Sequence, residues 1–288
     1  MAIAYIIFIE FARPNQISVT LAPSIYIENS ITIENYIFEN KGIPCVIAGT
    51  SMSKVLDRSQ IIDNNIFADI AFWGANPTMG IHLVARAPKR PKIIMIEIGL
   101  GLSNSDGDLK TIDSVFDVPS YWFKKFMPAF RTKFQPGTVI ISYLRSRFTP
   151  LQFYKKEESL DSRDPNTYNF IMGMLKNKYA DIPEGRIDTI LTTISQMVRP
   201  LEKEGIKIIL FEMPLNKELT QLNSYKLIMK KARAQFPEDR YQWINRPDEA
   251  GYQTSDGVHL MWSSASKYYK YICEQPTIKD LIGEYPRK

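Results

Sequence analysis

From Pro44 onward, short unbroken apolar runs alternate with longer helix-like stretches, and this alternation constrains the fold more than any other feature of the chain. It is the pattern of repeated βαβ units, which build a mostly parallel sheet. Strands are expected at Cys45 to Gly49, Ala68 to Gly74, Lys92 to Gly99, Ile206 to Met213 and Tyr241 to Asn245. Central parallel strands are covered on both faces and read as continuous apolar runs, as Ile93-Ile94-Met95-Ile96 and Ile208-Ile209-Leu210-Phe211 do. Helices are expected at Lys54 to Gln60, Pro77 to Arg86, Ile187 to Lys203, Ser224 to Gln235 and Ser263 to Glu274, with Gly205 stopping the third just ahead of the next strand. The expected fold class is α/β: a flavodoxin-like three-layer α/β/α sandwich around a five-stranded, mostly parallel sheet, with a helical insertion.

At 288 residues the chain is long enough for one large domain or two small ones, and one domain carrying an insertion is expected. Two parts fall outside the alternation. Residues 1–43 are expected to be an extension, either packed on the core or the remnant of an anchor; the apolar run from Ala2 to Ala12 is interrupted by Glu10 and is shorter than a bilayer span. Residues from about 103 to 184 are too many for a simple crossover. They are rich in aromatics such as Tyr121, Trp122, Phe123, Phe126 and Phe130, and are expected to form an inserted helical subdomain within 44–288. Leaving the sheet after the third strand, that insert either walls a site or forms an accessory core.

Charge narrows the partners. Lysine and arginine number 36 against 31 acidic residues, spread without a long cationic block, so no nucleic-acid partner is expected. Membrane association is expected only through an amino-terminal anchor. Two cysteines, Cys45 and Cys273, do not make a disulfide framework. No group of His, Cys and carboxylates has metal-ligand spacing, and Gly99-Leu100-Gly101 lacks the remainder of a phosphate loop, so neither metal nor cofactor is expected.

The chemistry concentrates in two stretches near opposite ends. Gly49-Thr50-Ser51-Met52-Ser53 follows the first expected strand and opens a helix, where the Ser51 hydroxyl is either a nucleophile with its own N–H as an oxyanion donor or a helix cap. The chain has two histidines, His82 and His259, and only His259 has a carboxylate three residues before it. In Asp256-Gly257-Val258-His259 the carboxylate is able to fold back onto one imidazole nitrogen while the other faces a nucleophile. Alternatively His259 caps the following helix. His82 sits within a helix-like segment and is expected to be packed or solvated. Glu97 and Glu212 each stand near the carboxyl end of an apolar strand. Three roles are open to them: binding substrate hydroxyls, pairing with Arg145 or Arg147, or accepting backbone N–H bonds that hold loops.

Taken together, these blocks resemble the SGNH, or GDSL-type, hydrolase superfamily. Gly49-Thr50-Ser51-Met52-Ser53 is similar to its first block, Gly-Asp-Ser-x-Ser, with threonine in place of aspartate; Gly74 in Phe72-Trp73-Gly74-Ala75-Asn76-Pro77 matches the glycine of the second, and Asp256 and His259 match the last. The resemblance runs from about residue 44 to 274 and implies a triad of Ser51, His259 and Asp256, with the Ser51 and Gly74 N–H groups as oxyanion donors. The third block, usually Gly-x-Asn-Asp, is altered to Gly99-Leu100-Gly101-Leu102-Ser103-Asn104, which leaves Asn104 or Asn76 as candidates for the missing side-chain donor. The activity implied is hydrolysis of ester-linked short acyl groups on a carbohydrate or similar polar substrate, in the manner of divergent members linked to cell-surface polysaccharide acylation, and therefore an extracytoplasmic or envelope location, with a cytoplasmic one still open. An O-acyltransferase using the same site and a catalytically impaired glycan-binding module are the alternatives.

Overall fold

The computed structural model describes Tyr5 and residues 24–58, 63, 65–148, 163–248 and 251–285. In chain order its main elements are α1 (Ile25–Phe38), β1 (Cys45–Ala48), α2 (Lys54–Arg58), β2 (Phe67–Asp69), α3 (Thr78–Arg86), β3 (Ile93–Glu97), α4 (Leu109–Val115), α5 (Ser120–Phe126), α6 (Pro136–Phe148), α7 (Pro165–Ala180), α8 (Glu184–Lys203), β4 (Lys207–Phe211), α9 (Lys217–Thr220), α10 (Asn223–Gln235), β5 (Gln242–Ile244), α11 (Trp262–Cys273) and α12 (Pro276–Glu284). The described strands form one five-stranded sheet in the order β2-β1-β3-β4-β5, and every pairing is parallel. This is the flavodoxin-like order, with its reversal point between β1 and β3. β1 and β3 are buried along their whole length, which is why their sequences are unbroken apolar runs.

Right-handed crossovers put α2 on one face of the sheet and α3, α8 and α10 on the other, because the chain moves in opposite directions across the sheet in the two cases. The helix contacts agree: α2 packs with α11 and α11 with α12, whereas α8 packs with α10 and β4, and α7 with α9 and α10. Gly80 lets α3 lie close on the sheet, since a Cβ there would come within 2.9 Å of the Ala48 Cβ and 3.0 Å of the Ile70 carbonyl oxygen.

The chain divides into two compact units. The sheet unit comprises the described parts of 42–85, 89–107 and 156–288; the other comprises those of 1–41, 86–88 and 108–155. The stretch expected as one insert from about 103 to 184 is therefore split. Residues 108–148 cluster with α1, while α7 belongs with the sheet because it packs on α9 and α10.

The second unit is helical and held by buried charge. Glu34 on α1, 2% exposed, accepts the Thr132 N–H (2.6 Å) and O–H (2.9 Å) and pairs with Lys124 (2.8 Å). Arg131 bonds Glu39 and lies over the Phe38 ring. The aromatics of α5 make an accessory cluster around Tyr121, Trp122 and Phe126, with Trp122 and Phe126 largely exposed. The Ala2 to Ala12 run lies outside the described residues except for Tyr5, whose hydroxyl donates to the Phe134 carbonyl. No described helix is long and apolar enough to cross a membrane.

Candidate active site

The Ser51 turn leaves the carboxyl end of β1. A parallel bridge between Thr50 and Phe72 extends the pairing of β1 with β2 beyond the strands, and the Phe72 N–H donates to the Gly49 carbonyl (3.3 Å). Glu97, at the end of β3, fixes the turn from the other side. Its Oε2 accepts the N–H groups of Thr50 (2.9 Å) and Ser53 (3.3 Å), and its Oε1 accepts the Thr50 hydroxyl (2.8 Å). Gly49 is required there, because a Cβ would fall 2.7 Å from Glu97 Oε2 and 2.0 Å from Ser53 Oγ. The capping alternative for Ser51 is not realised: Thr50 Oγ1 accepts the Met52 N–H (3.2 Å), and the Ser53 hydroxyl donates to the Thr50 carbonyl. Ser51 itself sits half-buried between these anchored residues.

The second stretch is a tight hairpin between β5 and α11, closed by a Thr254–Leu260 bridge and by the Ser255 N–H on the His259 carbonyl (2.8 Å). Asp256 uses both carboxylate oxygens on its own turn. Oδ1 accepts the N–H groups of Val258 (3.0 Å) and His259 (2.8 Å), and Oδ2 lies 2.6 Å from His259 Nδ1. Burial pushes this carboxyl up, but the hydrogen bond and charge of His259, with the two N–H groups, outweigh it and hold Asp256 below its ordinary value. Gly257, at φ 105°, makes the turn possible, and its carbonyl accepts the Asn216 N–H (2.9 Å). With Nδ1 engaged by the carboxylate, the imidazole presents its Nε2 lone pair, and Nε2 is buried with no hydrogen-bond partner. The His259 ring lies beside Trp73, centroids 6.0 Å apart, on the exit of β2 next to the Ser51 turn. His259 does not cap α11, whose N-cap position is Met261.

The structure thus joins Asp256 to His259 and brings His259 to the strand exits that carry Ser51, but no hydrogen bond links Ser51 to Nε2.

Gly74 turns at φ 72°, exposed, and its N–H makes no described hydrogen bond. The expectation that Asn76 donates to an oxyanion is overturned. Asn76 is fully buried; its amide donates to Asp106 (2.7 Å) and the Asn104 carbonyl (3.4 Å), while its oxygen accepts the Thr78 N–H and O–H at the start of α3. Asn104 uses its carbonyl on Asn76 and Arg186, and its side chain takes part in no described hydrogen bond. The backbone of the short 3₁₀ turn Leu100–Ser103 approaches the Gly49 to Ser53 turn, so that a Cβ on Gly101 would sit 2.4 Å from Thr50 Cγ2.

Neither strand-end glutamate is placed to hold substrate hydroxyls. Glu97 is 1% exposed, with both oxygens taken by the Thr50 to Ser53 turn; burial pushes its carboxyl above the ordinary range despite those bonds. Glu212 accepts from Tyr225 (2.9 Å) and pairs with Arg233 (2.8 Å), which also bonds Asn245 and stacks on Trp243. The Arg145 and Arg147 side chains, expected as partners, lie outside the described residues. His82 stays within α3. Among the described residues no group of His, Cys, Asp and Glu is arranged to hold a metal. Cys45 is buried, which pushes its thiol well up and leaves it unreactive.

One feature had no signal in the sequence. A cavity of about 390 Å³, lined by Arg163, Tyr168, Asn216, Lys217, Tyr252 and Thr254 among others, shares a wall with the Asp256 hairpin through Gln253 and Thr254. Its residues come from three separate stretches of the chain, one of them, with Arg163 and Tyr168, in the stretch read as an insert. No protein-family model, curated protein or solved structure matches the chain.

Proposed function

We propose that this protein is a serine hydrolase of the SGNH kind, cleaving short acyl esters from a carbohydrate or similarly polar substrate. The observation that carries the proposal is the Asp256–His259 pair: Nδ1 is held at 2.6 Å, and Nε2 is buried, unpartnered and set at the strand exits beside Trp73. A buried imidazole nitrogen without a partner is costly unless a substrate or nucleophile completes it. In the reaction, Ser51 Oγ attacks the ester carbonyl carbon as its proton passes to His259 Nε2, and Asp256 stabilises the imidazolium. The Gly74 and Ser51 N–H groups are the donors proposed for the developing oxyanion. Collapse expels the alcohol, which takes the proton from Nε2; water then enters by the reverse sequence and releases the acid. A sugar hydroxyl entering instead of water makes the same site an O-acyltransferase.

A second reading, a glycan-binding module with impaired turnover, is favoured by two observations: Ser51 is not bonded to Nε2, and Asn76 is committed elsewhere. Labelling with a fluorophosphonate separates the two. Labelling that disappears in Ser51→Ala and falls in His259→Ala supports the hydrolase; well-folded wild type that takes no label refutes it and favours the module.

A further inference from the structure

We propose that Glu97 is a positioning residue for Ser51, its carboxylate transferring the rigidity of the central sheet to the nucleophile turn; this rests on the hydrolase reading above. The register of β1 with β3 pairs Ala48 with Ile96, so the next residues, Gly49 and Glu97, leave the sheet side by side. Because Gly49 has no side chain, the Glu97 carboxylate lies directly over the first residue of the turn. From there it reaches both flanks of Ser51: the N–H and O–H of Thr50 on one side and the N–H of Ser53 on the other. Ser51, with Met52, lies between the two points the clamp holds and is not itself bonded to Glu97.

Three donors on one carboxylate over-determine four residues of backbone, and charge-assisted bonds of this kind are among the stronger ones available to a protein. A turn of five residues held only by its own bonds would drift on the scale that matters to an attacking oxygen. The sheet does not: β3 is flanked by β1 and β4 and buried along its full length. Burying a carboxylate at a strand end is unfavourable compared with burying a leucine there. What the buried carboxylate supplies to the turn in exchange is fixed geometry.

The test uses the full chain and the labelling rate per folded molecule, resolved into probe affinity and maximal rate. Glu97→Gln keeps the shape but offers a single acceptor oxygen and turns an NH2 toward donors. It is expected to lower the maximal labelling rate about 10- to 100-fold with probe affinity unchanged. Thr50→Val, which leaves both N–H bonds to Glu97 in place but removes the hydroxyl from Glu97 Oε1 and from the Met52 N–H, is expected to produce a smaller fall of the same kind. Ile244→Val, a buried change on β5 away from the turn, controls for lost stability and is expected to leave the rate per folded molecule unchanged. Wild-type labelling with Glu97→Gln at the wild-type rate overturns the positioning role alone. Absence of labelling in the wild type overturns the hydrolase reading, and the positioning role with it. Equal falls in Glu97→Gln and Ile244→Val mean that Glu97 serves stability only, and also overturn the inference.

Discussion

Gly257→Ala is the sharpest perturbation of the hairpin that joins Asp256 to His259. The residue sits at φ 105°, outside the range that side chains readily adopt, so any Cβ strains the backbone by about 1 to 3 kcal/mol. The new methyl would also meet Met172 Sδ of α7 at 2.2 Å, whereas its 3.5 Å approaches to Leu175 and Leu219 are ordinary contacts. A thioether end gives way, so that clash adds about 1 kcal/mol. The sum is about 2 to 4 kcal/mol, equivalent to a fall of roughly 5 to 12 °C in the melting temperature of the sheet unit. Denaturant unfolding followed in the sheet unit measures the first, and calorimetry the second. Met172→Ala in the same chain removes the clash but not the strain, so the double variant is expected to show favourable coupling of about 1 kcal/mol. The same change displaces Asp256 and His259 on either side, and ester hydrolysis is expected to fall about 100-fold. A Gly257→Ala protein within about 0.5 kcal/mol of wild type, or one with no coupling to Met172, refutes the claim that this turn needs glycine and rests on α7.

Asp256→Asn is expected to reduce turnover by about 1,000- to 10,000-fold, since an amide no longer fixes the imidazole tautomer or stabilises its charge; hydrolysis within tenfold of wild type would sink that role. Because the folded-state value of Asp256 is lowered, its contribution to stability is present above the unfolded carboxyl range and is lost as pH falls through the folded value, so the stability gap between wild type and Asp256→Asn narrows on acidification. Glu97 has the opposite sign: its folded value is raised, so the native state binds more protons and wild type loses stability relative to Glu97→Gln as pH rises from about 4.5. Denaturation series in pH steps read both gaps, and a Glu97 gap that widens in favour of wild type with rising pH contradicts the burial argument. In the helical unit, Glu34→Ala leaves Lys124 without its carboxylate and is expected to cost about 3 kcal/mol. Hydrogen exchange should quicken across 25–38 while β1 and β3 keep their protection; equal loss in the strands would mean that the two units do not open separately.

The sheet was legible because its constraint is local. Each central strand is an apolar run bounded by turn residues, and the five expected strands overlap the five observed ones, with ends differing by up to a few residues where the regular ladder gives way to isolated bridging: β2 ends at Asp69, although the apolar run continues to Phe72, which bridges to Thr50. Helix α1 was not legible. Its Ile25, Ile27, Ile31, Thr32, Ile33 and Ile37 are β-branched and favour extended structure, so its helical state depends on the Ser24 cap and on the tertiary bonds of Glu34. Asp256 and His259 were legible because three residues separate them. The partners of Glu97 were not, since 47 residues separate it from Thr50 and nothing local distinguishes a carboxylate that holds a loop from one that holds a substrate. For the same reason Asn76 read as a spare donor until Asp106 and Thr78 were seen to use it.

The polar groups at the carboxyl edge of the sheet therefore differ in one physical respect. Glu97, Glu212 and Asn76 are buried and complete: the donors and acceptors they need are supplied by the protein, and a ligand that engaged them would have to break bonds of about 1 to 3 kcal/mol each. His259 is incomplete. Its Nδ1 is satisfied by Asp256, which fixes the ring, while Nε2 has been taken out of water without receiving a partner. A hydrogen-bond partner brought to that atom recovers the free energy lost there. Of these four groups His259 is the one left to engage a ligand, and under the proposed hydrolase reading the half-buried Ser51 on the adjacent turn is the hydroxyl that would use it.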